Sequence, residues 1–351
     1  MGFDEDGIAR MLALEDPDAL AALFREARAV KLAECGPGIA VRGLVEAGNV
    51  CAKDCLYCGI RRSNARVLRY TMSMAELVAA AETARRIGYA SIVLQGGELE
   101  SEANTRRVEE FLARIAPLGL GVTLSLGEQE PAVYRRWREA GAARYLLRIE
   151  TSDPELYSRL HPPTCSFSRR RDCLVRLREL GYQVGTGVMC ALPGQTTRQL
   201  ARDVLFFREI DADMIGMGPY IPHPDTPLAV ADTGLTDEAR LRLGLKLIAV
   251  TRLVLRDVNI AASTALQALA DDGRERGILA GANVLMPNIT PAGYRASYRL
   301  YRNKPGGGED DAAVRVDLDR RLAKIGESAL YGRSGDSRHY VRRVDIPGRE
   351  A

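Results

Sequence analysis

The stretch VRGLVEAGNVCAKDCLYCGIRRSN, residues 41–64, joins a short apolar run to a loop that holds Cys51, Cys55 and Cys58. The run has the length of a strand, and the thiols follow it directly. Whether that strand opens a series decides the fold. Comparable runs recur downstream: SIVLQGG from Ser91, GVTLSLG from Gly121, RYLLRIET from Arg144 and QVGTGVMCALPG from Gln183. MIGMGPYIP from Met214, NIAASTAL from Asn259 and ANVLMPNI from Ala282 complete the set. Amphipathic stretches separate them. SMAELVAAAETARRIG, residues 73–88, starts with a capping box of Ser73 and Glu76, and Thr236 opens another helix. Strands alternating with helices imply parallel pairing, and eight such units across about 250 residues match a TIM-type barrel.

The expected fold is therefore α/β, a full (βα)8 barrel over residues 41–290. Residues 1–40 form a helical extension outside it, and residues 291–351 a C-terminal extension that packs on or caps the barrel. In that last part NKPGGGEDD reads as a flexible charged loop, and one helix is expected near Val314–Leu330. Chemistry in such barrels sits at the carboxyl ends of the strands, which is where the cysteine loop falls.

Composition narrows the function classes. The 351 residues carry a net charge of +3 spread along the chain, which favours neither nucleic acid nor a membrane surface as partner. No apolar run approaches the roughly 20 residues of a membrane span, and the acidic start lacks the order of a signal peptide. Seven cysteines, unevenly placed, do not form a disulfide framework, so a reducing cytoplasm is expected.

A structural zinc site would want a fourth ligand, yet none of the three histidines lies near the cysteine loop in sequence. Three thiolates without a local fourth suit a cubane iron–sulfur cluster with one iron left open. Strand alternation points other polar groups inward: Arg148 and Glu150 beyond RYLL, and Thr123 with Ser125. Buried charges there must pair with one another or meet a ligand. The glycines of LQGGE, residues 94–98, allow close backbone approach. Ser263 and Thr264 offer hydroxyls to a small anion, and Tyr294 and Tyr298 stand about one helical turn apart.

Cys-x3-Cys-x2-Cys, with Tyr57 before the last cysteine and a strand before the first, resembles the signature of the radical S-adenosylmethionine enzymes. The resemblance implies that Cys51, Cys55 and Cys58 hold three irons of a [4Fe–4S] cluster whose open iron binds S-adenosylmethionine. It implies cofactor contacts from Tyr57, Gln95, Gly96, Gly97, Glu98, Ser125, Glu150, Arg170, Met189, Leu192 and Tyr294. Arg148, Thr123, Ser263, Thr264 and Tyr298 remain for the substrate. The phrases NVCAKDCLYCGIRRSN, RYLLRIET, GVTLSLGE, ALPGQT, GPYIPHPDTPLA and GANVLMPNITP are similar to the [FeFe]-hydrogenase maturase HydE family. That family implies an iron–carbonyl–cyanide–cysteine substrate, a ferredoxin or flavodoxin as electron donor, and companion maturases. No cysteine follows Cys190, so the C-terminal cluster of some members has no ligands here. Ile149 stands where relatives are expected to carry histidine. The alternatives are a methylornithine synthase or biotin synthase type of enzyme on an amino-acid-like substrate, and a non-catalytic iron–sulfur carrier.

Overall fold

In the computed structural model, which describes residues 3–231, 233–305 and 311–344, all eight apolar runs contain strands. The strands are β1 (Gly38–Val41), β2 (Gly43–Gly48), β3 (Ser91–Gly96), β4 (Gly121–Ser125), β5 (Ala142–Leu146) and β6 (Gln183–Thr186). They continue as β7 (Met189–Cys190), β8 (Met214–Ile215), β9 (Gly218–Pro219), β10 (Asn259–Ile260), β11 (Val284–Leu285) and β12 (Ser328–Leu330). A curled parallel sheet of seven runs in the order β2-β3-β4-β5-β6-β8-β10. The two-stranded β7–β9 pair extends the carboxyl ends of β6 and β8.

The eighth run departs from the expected ring of equal strands. β11 pairs with β1, not within the seven-stranded sheet. Single bridges join its neighbourhood to both sheet edges, Leu44 with Asn288 and Ala261 with Val284. Their hydrogen bonds include Ile289 N to Leu44 O at 2.9 Å and Ala262 N to Val284 O at 3.0 Å. Pro287 has no N–H to give, so a regular ladder cannot run through this segment.

The helices follow their caps. Met74–Arg86 starts on the Ser73–Glu76 capping box, and Asp237–Val254 on Thr236. Glu5–Leu12 and Pro17–Cys35 precede β1, and Arg198 pairs with Asp6 at 2.6 Å. The helix expected near Val314–Leu330 spans Asp311–Lys324. Gly326, at φ 73°, turns the chain, and Ser328–Leu330 becomes β12, parallel to β1. Gly306–Asp310 of the expected charged loop lies outside the described residues. Among the described residues no helix is long and apolar enough to cross a membrane.

Residues 334–337 close the amino end of the sheet. Arg144 pairs with Asp336 and donates to Ser334 O at 2.9 Å. Arg42 donates to Gly335 O at 2.8 Å, and Asn259 reaches the same carbonyl at 2.9 Å. Gln183 donates to Asp336 and accepts from Ser337 N at 3.2 Å. The inward arginine of RYLLRIET that lies lowest is thus a structural group.

Asp336→Ala leaves the buried Arg144 guanidinium without its carboxylate and is expected to cost about 3–5 kcal/mol, read as a lowered denaturation midpoint. Asp336 is held down to about 2: burial opposes ionisation, but Arg144 and its hydrogen bonds outweigh it. Its contribution to stability is present above the unfolded carboxylate value of about 3.9. It is lost as the pH falls from there toward 2, a loss that the Ala variant should not show.

Candidate active site

The cysteine loop is held against β3 by backbone contact. Gly97 N donates to Gly48 O at 3.0 Å, and Ala52 N to Glu98 O at 2.8 Å. A Cβ on Gly97 would stand 2.1 Å from Val50 O. Arg69 staples the loop from within, donating to the carbonyls of Asn49, Ile60 and Arg61 at 2.7, 2.8 and 2.6 Å. Leu56 N to Leu160 O (2.9 Å) and Gly59 N to Leu300 O (3.1 Å) tie it to two distant segments.

The thiols themselves are desolvated. Burial pushes Cys58 up to about 12 and raises Cys51, and it raises Cys55 further with Cys58 beside it. Backbone N–H groups work against this: Glu98 N donates to Cys51 Sγ at 3.3 Å, and the Ile60 amide serves Cys58. Donors aimed at sulfur favour thiolate, the form that binds metal. Among the described residues no set of three or more His, Cys, Asp or Glu is already gathered as a metal-binding group. The three thiols nevertheless line one cavity, and their chemistry fits an iron–sulfur cluster.

That cavity, about 320 Å³, opens at the carboxyl ends of the strands. It brings together most of the residues singled out above: the three cysteines, Tyr57, Gln95, Gly96, Gly97, Glu98, Ser125, Glu150, Arg170 and Met189. Arg148, Ser263, Thr264 and Tyr298 line it as well. Three expected residues do not. Tyr294 stacks on Tyr70 with 4.6 Å between ring centres and donates to Glu76 at 2.7 Å, so it packs the outer helix. Leu192 belongs to a small apolar cluster with Met189 and Tyr220, which Tyr57 joins from its edge. Thr123 is buried on the inward face, in register with Val93 and Arg144, one level below Ser125.

Charge is arranged in linked pairs. Lys53 stands 3.1 Å from Glu98 and 3.6 Å from Glu128, and Arg170 Nε lies 2.6 Å from Glu128. Burial pushes the Glu98 carboxyl up, against the pull of Arg170. Across the cavity Arg148 Nη2 meets Glu150 at 2.9 Å and donates to Val188 O at 3.0 Å. Tyr57 is fixed by His161, whose Nδ1 bonds Tyr157 O at 2.9 Å, leaving Nε2, 3.3 Å away, to accept from the Tyr57 hydroxyl. Burial lowers His161 to about 4, so the ring is neutral near pH 7.

Sequence reasoning missed Glu46, Lys53, Tyr301 and Lys304, all of which line the cavity. Glu46 was open to detection, since alternation along β2 sets it on the same face as Leu44. Lys304 was not, because its partner lies 258 residues away.

A family profile described as the radical SAM superfamily matches residues 45–207. The chain is 44% identical over 311 residues to the [FeFe] hydrogenase maturase subunit HydE of Thermotoga maritima, covering 89% of this chain and 87% of that protein. It is 27% identical to a 3-methylornithine synthase of Methanosarcina acetivorans, covering 80% and 78%. The crystal structure of methylornithine synthase superposes with a TM-score of 0.79 over 99% of this chain and 97% of that one, at 24% identity. The maturase HydG from Carboxydothermus hydrogenoformans gives 0.76 over 90% and 75%, at 19% identity. These two structures are similar in fold.

Gly97→Ala pushes a carbon into Val50 O, so the loop must shift. The expected outcome is at most half of the wild-type iron after anaerobic reconstitution. Gly293→Ala, where no atom lies within 4 Å of the added carbon, should keep its full complement.

Proposed function

This chain belongs to the HydE family of [FeFe]-hydrogenase maturases within the radical S-adenosylmethionine superfamily, and on that footing we propose how its residues divide the work. The observation that carries the reading is the set of three half-buried thiols on the wall of a cavity lined with inward cations. Cys51, Cys55 and Cys58 would hold a [4Fe–4S] cluster, leaving one iron for S-adenosylmethionine. Held there, such a cluster would supply the one-electron reduction that splits S-adenosylmethionine into methionine and a 5′-deoxyadenosyl radical.

The chain's own groups bind, orient and exclude water. Glu98 and Arg170, opposite in charge and already adjacent, suit the amino and carboxylate ends of the methionine moiety. Tyr57, locked by neutral His161, and Met189 form an apolar face for the adenine. Glu150 suits a ribose hydroxyl, with Gln95 and Ser125 beside it. Arg148, Ser263, Thr264 and Tyr298 would receive the substrate, an iron–carbonyl–cyanide–cysteine complex in this reading. Residues 41–290 would act as a (βα)8 barrel whose eighth position is the bridged segment around β11, between extensions 1–40 and 291–351. A ferredoxin or flavodoxin would deliver the electron in the cytoplasm, with companion maturases supplying and taking the organometallic species. A biotin-synthase type of reaction needs further cysteines on the strands, whereas Cys190 is buried in the main apolar core.

Cys55→Ser is expected to abolish 5′-deoxyadenosine formation under reducing, anaerobic conditions; continued formation would overturn the cluster assignment. Glu150→Gln should weaken S-adenosylmethionine binding roughly tenfold, the worth of one charged hydrogen bond, while iron content stays at the wild-type level. Loss of iron in that variant would make Glu150 a structural residue.

A further inference from the structure

Glu46 projects from β2 into the cavity with its side chain fully buried, and the Lys304 ammonium pairs with it there. Lys304 also donates to Tyr298 O at 2.9 Å and stands 4.6 Å from the centre of the Tyr298 ring. The other oxygen of Glu46 accepts from Asn288 Nδ2 at 3.1 Å. Both carboxylate oxygens are therefore satisfied, whereas the ammonium has three N–H groups and uses two. Lys304 lines the cavity, and no third acceptor for it is present among the described residues.

The segment that carries Lys304 is anchored at several points. Asn49 donates to Ser297 O at 2.7 Å, Gln95 to the Tyr298 hydroxyl at 3.2 Å, and Arg302 N to Pro222 O at 3.2 Å. The Tyr301 hydroxyl meets Thr264 Oγ1 at 2.6 Å. Residues 297–304 thus form a strap over the cavity, and Lys304 is the cation it brings in. A buried ion pair costs more than an apolar pair of similar volume, so closing the wall does not explain its presence. Two further groups that line the cavity can donate to a ligand. Arg148 keeps unused N–H groups, and Ser263 Oγ is buried without a partner.

Resting on the functional reading above, we propose that Lys304 determines substrate specificity by binding the carboxylate of the cysteine portion of the substrate. Glu46 and the Tyr298 ring fix the ammonium in place, and its free N–H completes a charged hydrogen bond to the ligand. A donor-rich wall selects an acceptor-rich group, and Lys304 supplies that wall's charge on the strap side as Arg148 does beyond β5.

The test uses the reconstituted holoenzyme with S-adenosylmethionine bound, and two probes, L-cysteine and cysteamine, which differ by the carboxylate. Calorimetric dissociation constants for the wild type should favour L-cysteine at least tenfold, as one charged hydrogen bond provides. Lys304→Met should bring the ratio close to one, and Lys304→Arg should restore part of it. A latch that only holds the strap would move both constants together and keep the ratio. An unchanged ratio in Lys304→Met, or no preference in the wild type, overturns the proposal. If the Met variant loses its iron, Lys304→Gln takes its place against Lys304→Arg under the same criterion. 5′-Deoxyadenosine is measured in the same wild-type samples. Its absence counts against the functional reading, whereas its presence without a carboxylate preference counts against Lys304 alone.

Discussion

The closeness of two backbones, at Gly97 and Val50, sets the position of everything else in the site. With 2.1 Å between the carbonyl of Val50 and the place of a side chain on Gly97, only glycine lets the cysteine loop lie on the end of β3. From that contact the chain runs into Glu98, whose amide donates to Cys51 and whose carboxylate joins Lys53 and Arg170. One close approach therefore fixes a thiol, a carboxylate and the guanidinium opposite it. The parallel sheet beneath gives this arrangement its rigidity, since carboxyl ends of adjacent strands end together at one rim.

Inward polar groups do two different jobs at the two ends of the strands. At the amino end Arg42, Arg144, Gln183 and Asn259 are spent on the chain itself, through residues 334–337. At the carboxyl end Arg148, Lys304 and Ser263 keep hydrogen-bonding capacity unused by protein. Unfilled donors are costly wherever they are buried, but only those that face a cavity can meet an arriving acceptor. Position, more than residue type, separates them: Arg42 and Arg144 bind residues 334–337, whereas Arg148 lines the cavity.

The fold was legible because its signals are local. Eight apolar runs, their caps and the position of the cysteine loop are each written within about twenty residues, the range over which period and capping act. The site was legible where alternation assigned a face, as for Ser125. It failed where depth or distant contact decided. Thr123 shares a face with Ser125 but sits lower, and Tyr294 lies one turn from Tyr298 yet packs on Tyr70. Leu192 backs the cavity wall without reaching it. The pairing of Lys304 with Glu46 has no signal within either segment. The eighth strand failed for a local reason that was visible, Pro287, whose missing N–H interrupts the ladder.

Backbone strain completes the explanation of how Arg148 and Glu150 come to face the cavity together. Beyond β5 the chain no longer follows plain alternation: Glu150 adopts φ 65°, the left-handed region that costs a non-glycine residue about 1–3 kcal/mol. Such a conformation persists only where the surroundings impose it. Here Glu150 N donates to Gly187 O and Met189 N donates back to Glu150 O, both at 3.0 Å. These bonds hold the turn while Ile149 is buried in the main apolar core and Glu150 reaches Arg148. Ala191, at φ 61°, bends the neighbouring chain just past β7 in the same way. Two residues with left-handed backbone thus stand close to the rim of the cavity, Glu150 held by its bridge to Val188 and Ala191 just past the β7–β9 pair.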